Sequence, residues 1–176
     1  MVVGLSGAPE SMRLEIRPIE AGDKADLASA VELSSGEAVY RRFLSPHGPL
    51  TAAELRYLTE VDHHDHEAVV AFDPESGRSV GVARYIRDRE RRDSAEIAVS
   101  VLESWQGRGV GKALMRGLAD RAREEGITRF TALMVVHNRA MRQLLADLGH
   151  TRVLSSGAGA VELAVDLSRE QPTARS

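Results

Sequence analysis

Three glycines in alternation, Gly107, Gly109 and Gly111, lie between an apolar, strand-like run at residues 97–102 and an amphipathic helical pattern from Val110 to about Glu125. Where a strand turns into a helix, residues without a Cβ leave backbone N–H groups uncovered, so an anion can approach them closely. The junction reads as a phosphate cradle, against the plainer alternative of a glycine-rich turn that only caps a helix.

The spacing separates the known kinds of cradle. A nucleoside triphosphate loop needs a glycine five residues before the Gly-Lys pair and a hydroxyl after it; those positions hold Gln106 and Ala113. The dinucleotide fingerprint needs its third glycine one place beyond Gly111 and an acidic residue closing the next strand, yet the run at 130–136 ends in Val136, His137 and Asn138. What remains is Gln-x-x-Gly-x-Gly, carried by Gln106, Gly109 and Gly111.

That pattern resembles the acyl-CoA pyrophosphate loop of the GNAT superfamily of N-acetyltransferases. Residues 95–101 resemble the family's central strand, with Val101 five residues before Gln106, and Asn138 through Leu148-Gly149 resembles its later helix. The resemblance extends over residues 13–166. It implies an α/β (α+β) GNAT fold, with a mixed, mostly antiparallel sheet of six to seven strands flanked by helices, and acetyl-CoA as cosubstrate. By the same resemblance Val99, Ser100 and Val101 meet the pantetheine arm, and Gln106, Gly107, Arg108, Gly109, Val110, Gly111 and Lys112 surround the pyrophosphate. Asn138 matches an asparagine that contacts the cofactor, and it serves equally well as a helix N-cap.

A primary amine with a pKa near ~10.4 is protonated at neutral pH and has no lone pair for attack on a thioester, so a base is required. The resemblance puts Glu96 in that role, with burial among Ile97, Val99 and other apolar neighbours expected to raise its pKa. A solvated glutamate on the outer face is the alternative, since strand alternation does not say which face is which. A backbone N–H of Val99 or Val101 would hold the thioester carbonyl, a contribution worth about 3 kcal/mol where such a donor has been removed. The chain departs from the family at Leu145, where many relatives carry a tyrosine acid, and at His150, where a phenylalanine is common. A thiol with a pKa near ~8.5 can leave without that acid. His137 and Tyr40 are the substitute donors the sequence offers.

Composition narrows the class. With 23 basic and 26 acidic residues and a net charge of −3, no large basic field exists for nucleic acid. The absence of cysteine excludes disulfides and a cysteine acyl-enzyme, so direct acyl transfer in a ternary complex is expected. No apolar run reaches the ~20 residues of a membrane span, which points to a cytoplasmic protein, monomer or homodimer, without a membrane partner. One domain at 12–167 is expected, after a disordered leader at 1–11 and before a flexible tail at 168–176.

Hydrophobic periodicity predicts a strand at 13–16, a helix from Lys24 to about Leu33 capped by Asp23, a second helix at 36–43, and a third behind the capping box Thr51 to Glu54. A hairpin is predicted at 67–72 and 79–87, a third antiparallel strand at 95–102, and an interior strand at 129–136. A helix at 138–148 and two closing strands, 151–154 and 160–167, follow around a flexible loop at 155–159.

The segments Tyr40 to Ser45 and Val61 to Glu67 resemble bacterial protein lysine acetyltransferases of the Pat type, which implies a protein lysine as acceptor. A small-molecule amine and a noncatalytic acyl-CoA-binding module are the alternatives. The cluster of His63, His64 and His66 with Asp62 and Asp65 raises a metal site, but neighbours in an extended segment point to opposite faces, so a polar loop near the substrate mouth and no metal is the reading adopted. Trp105 reads as a packing residue.

Overall fold

The computed structural model describes residues 2–4, 13–32 and 49–167; the helix expected at 36–43 and the Tyr40 to Ser45 segment lie outside them. The strands are β1 (Val2–Gly4), β2 (Arg13–Pro18), β3 (His66–Phe72), β4 (Ser79–Arg87), β5 (Ser94–Val101), β6 (Arg129–Val135), β7 (Thr151–Gly157) and β8 (Ala160–Asp166). The helices are α1 (Lys24–Glu32), α2 (Ala52–Thr59), α3 (Val110–Glu124) and α4 (Arg139–Ala146). One sheet runs in the order β1-β2-β3-β4-β5-β6-β8-β7 and is antiparallel except between β5 and β6. Its body, β2 to β8, is seven strands, within the six to seven expected. The eighth, β1, comes from the segment expected to be a leader, and it pairs with Arg13 to Glu15 because the outer edge of β2 otherwise offers unpaired N–H and C=O groups.

The sheet divides two cores. On one face α3 buries Val110, Leu114, Met115, Leu118, Ala119 and Ala122, the i, i+4 pattern of a helix lying on a sheet. Each large aliphatic side chain there contributes roughly 2 kcal/mol relative to exposure. Met141 and Leu145 of α4 join this core, with Leu144 and Leu148 partly buried beside them. On the other face Ile19, Leu27, Ala68, Val70, Phe72 and Val82 form a smaller core, completed by Leu55 and Leu58 of α2. The capping box appears as read: Thr51 Oγ1 accepts the Glu54 N–H at 3.2 Å, and Glu54 accepts the Thr51 N–H at 2.8 Å.

Three local readings are corrected. Asp23 does not cap α1; it closes a 3₁₀ turn, accepting the Glu20 N–H at 2.8 Å and a two-pronged contact from Arg17. The loop expected at 155–159 shrinks to Ala158 and Gly159, both at positive φ, which is the two-residue turn whose twist matches flanking strands. The histidine segment is not extended. Asp62 Oδ1 accepts the N–H groups of His64, Asp65 and His66, each at 2.9 Å, and His63 sits at φ 60°.

The histidines consequently diverge. His63 Nδ1 meets Glu67 at 2.8 Å, His64 Nδ1 meets Glu125 at 3.1 Å, and His66 Nε2 takes Arg84 at 3.0 Å. Glu67 is fully buried and also accepts Arg121 Nε at 3.1 Å and the Ala68 N–H at 2.9 Å. Burying a carboxyl group so completely is costly unless hydrogen-bonding partners enclose it, and these three do. This loop packs on the C-terminal end of α3, about 22 Å along the helix from the glycine loop.

His66 has its pKa pushed down from 6.5 to about 4, by burial first and by the Arg84 charge second. Between those two values the unfolded chain binds a proton that the folded chain refuses, so this site lowers stability as pH falls through ~6.5 toward ~4. Urea denaturation across that range should show the loss in the wild type and a flatter profile for His66→Gln, which keeps an acceptor for Arg84. Parallel profiles would contradict the assignment.

Candidate active site

The parallel pair β5–β6 holds together for only three rows: Ser94 with Arg129, Ala95 with Phe130 and Glu96 with Thr131. Yet β5 continues to Val101 and β6 to Val135. The outer edges of both strands stay paired, β5 to β4 and β6 to β8, so the facing edges beyond Glu96 and Thr131 diverge into a cleft within the sheet. The Leu102 N–H donates to the Val80 carbonyl at 2.9 Å. Alternation then turns the backbone groups of residues 100, 98 and 96 toward β4, and those of Val101, Val99 and Ile97 toward the cleft. The Val99 backbone and the Val101 N–H are thus turned to where an extended ligand can pair with them. Ser100, also expected there, has its N–H committed to the β4 side.

At the mouth of the cleft the chain passes through a 3₁₀ turn, Glu103–Trp105, and the glycine loop. Gln106 Nε2 donates to the Val101 carbonyl at 3.0 Å, tying the loop to the end of β5. Gly107 and Gly109 take φ of 71° and 83°, a left-handed region that a side chain occupies only under strain. Gly109 is the N-cap of α3, and the first helical bond runs from the Ala113 N–H to its carbonyl at 3.0 Å. The N–H groups of Val110, Gly111 and Lys112 therefore have no acceptor inside the helix, and its first turn holds no acidic residue. The residues present fit a pyrophosphate. Gly111 serves packing as well: a Cβ there would meet Leu144 at 3.3 Å, so its small size also seats α4 against α3.

The expected cations behave differently from one another. Arg108 lies over the Trp105 ring, 5.5 Å from its centroid, while Trp105 packs on the edge of the core. Lys112 Nζ meets Asp147 at 2.9 Å, and that contact, with a further one from Gln143, holds the Asp147 carboxyl below its usual range. Much of the Lys112 charge is thereby committed to clasping α3 to α4. Asn138 Oδ1 accepts the Met141 N–H at 3.1 Å, so its carbonyl oxygen caps α4 and only its amide NH₂ remains for a ligand. Sequence reading passed over Arg142, whose guanidinium donates twice to the Val136 carbonyl, at 3.1 and 3.0 Å, and fixes the end of β6. Its signal was the position one turn after the N-cap.

Glu96 stands on the last paired row, where the cleft begins, but its side chain is exposed. Register partners share a face, so Glu96 sits with Ile86 and Thr131, while Ile97 and Val99 turn toward α3. The burial expected from those neighbours is not supplied. Leu145 is fully buried and His137 is exposed. Tyr40 lies outside the described residues. Among the described residues no group of three or more His, Asp or Glu side chains is arranged to hold a metal, and no helix is long and apolar enough to cross a membrane.

A sheet that opens between two parallel strands, with a glycine-initiated helix at the opening, defines an acyltransferase of the GNAT type. Residues 36–150 match the acetyltransferase (GNAT) family model, and the chain belongs to that family of acetyl-CoA-dependent N-acetyltransferases. It is 40% identical over 135 residues to Acetyltransferase Pat of Mycolicibacterium smegmatis, covering 76% of this chain and 40% of that protein, so it spans about two fifths of that relative. An acetyltransferase of Pseudomonas aeruginosa is 33% identical over 136 residues, covering 76% of this chain and 73% of that one. The GNAT domain of S. lividans PAT superposes with a TM-score of 0.84 at 32% identity, covering 95% of this chain and 96% of that one.

Gly109→Trp should weaken CoA binding more than tenfold in calorimetry, since it strains the positive φ and covers the bare amides. Unchanged affinity in a folded variant would remove the cradle from this loop.

Proposed function

We propose that the β5–β6 cleft holds acetyl-CoA and that the acceptor is an amine, specifically a lysine side chain of a protein. The observation that carries this is the parallel pairing that stops after three rows, leaving the Val99 backbone and the Val101 N–H open beside a helix N-terminus without carboxylates. Likeness to a relative named Pat and to the GNAT domain of another PAT supports the protein lysine. A cytoplasmic setting belongs to the same reading.

Acetyl-CoA supplies the activated acyl group as a thioester. The first-turn amides of α3 bind diphosphate charge, and Gly107 and Gly109 let it approach without a Cβ in the way at those two positions. Val99 and Val101 orient the extended arm by strand-like pairing, and one of their N–H groups stabilises oxygen charge as the acceptor nitrogen bonds to the carbonyl carbon. Glu96 removes the proton from the acceptor ammonium, directly or through water. Its exposure suits that task, because the carboxylate must be reached from outside by a long side chain. Leu145 has no proton to give, and a thiol of ordinary acidity can leave as thiolate and take its proton from water.

Glu96→Gln should bind acetyl-CoA within about twofold of wild type while turnover, followed as CoA release with a lysine peptide, falls roughly a hundredfold to ten-thousandfold. Retained turnover would assign the base elsewhere.

A further inference from the structure

The sheet face that carries Glu96 has a second, ordered set of side chains. Register places Ile86, Glu96, Thr131 and Ala164 on one row across β4, β5, β6 and β8. Two residues along β6 on the same face stands Leu133, paired with Glu162 of β8. α1 and α2 cover the β3–β4 part of this face, whereas Ile86 and Leu133 are 41% and 49% exposed. Exposed apolar side chains on a strand otherwise buried on its opposite face are ready for a ligand's carbon chain.

Glu162 is held in place. Ser155 Oγ, on its register partner, donates to Oε2 at 3.2 Å. Among the described residues it has no ion pair; Arg152 of β7, whose register partner is Ala164, makes none with it, and Arg129 of β6 is engaged by Asp166 at 3.7 Å. Glu96 likewise has no described partner. Two strand spacings of ~4.8 Å and one two-residue step of ~6.6 Å separate the Cα atoms of these two glutamates by about 12 Å. An extended peptide advances ~13 Å in four residues, and residues four apart project from the same side.

Resting on the reading that Glu96 faces the acceptor, we propose that Glu162 is a specificity-determining residue that selects lysines followed or preceded, four residues away, by a second basic side chain. Glu96 meets the acceptor amine, Glu162 meets the second cation, and Leu133 supports the chain between them. An extended, dibasic segment of a protein is the partner this face fits.

The test uses three peptides with one lysine: one with no other charge, one with arginine four residues before it and one with arginine four residues after. The wild type should prefer one of the arginine peptides by about fivefold in kcat/KM, the scale of a solvent-accessible ion pair, and lose the preference in high salt. Glu162→Gln should bring that peptide down to the rate of the uncharged one, leaving the latter unchanged, and Glu162→Lys should favour a glutamate in place of the arginine. Equal rates for all three with wild type, or a preference that survives Glu162→Gln, would overturn the proposal while leaving acyl transfer to lysine intact. Failure of every peptide would overturn it too, and calorimetry with acetyl-CoA would then show whether cofactor binding still stands.

Discussion

Parallel strands cannot be joined by a tight turn, so the chain between β5 and β6 must cross over, and here the crossover is α3. The two strands share only the rows at 94–96 and 129–131. Each keeps its outer neighbour along its length, so the backbone between them is left with unmet hydrogen-bonding capacity inside an otherwise continuous sheet. An extended ligand can restore that pairing. The same crossover puts the N-terminus of α3 at the opening, so one topological requirement supplies both the slot and its charged end.

The surrounding packing holds this arrangement rigid. Gly81 lets β4 approach β5 closely, since a Cβ there would stand 3.0 Å from the Ser100 carbonyl and from Leu114. Gly149 brings the end of α4 against β8, where a Cβ would collide with the Asp166 carbonyl. Lys112 with Asp147, and Arg142 with the Val136 carbonyl, tie the two helices and β6 at the cleft mouth. At the far end the enclosed Glu67, with His63 and Arg121, anchors α3 to the start of β3.

Much of this was legible in the sequence. The glycine register at 106–111, the periodicity of α3 and the capping box at Thr51 are local signals, and local signals fix local geometry. The side on which Glu96 lies was not legible, because alternation gives the parity of a strand and not its orientation in the sheet; only pairing with Ile86 and Thr131 decides it. The backbone path of the histidine loop was not legible for a related reason. Asp62 folds back on three N–H groups, and that competition with extended backbone leaves no periodic trace. The commitment of Lys112 to Asp147 depends on a helix 35 positions further along the chain, beyond any short pattern.

Amide hydrogen exchange with and without CoA addresses the cleft most directly. Protection should appear at Val99 and Val101 and across residues 107–112, where the amides have no partner among the described residues. Protection confined to other segments, or none at saturating CoA, would contradict a cofactor seated between β5 and β6.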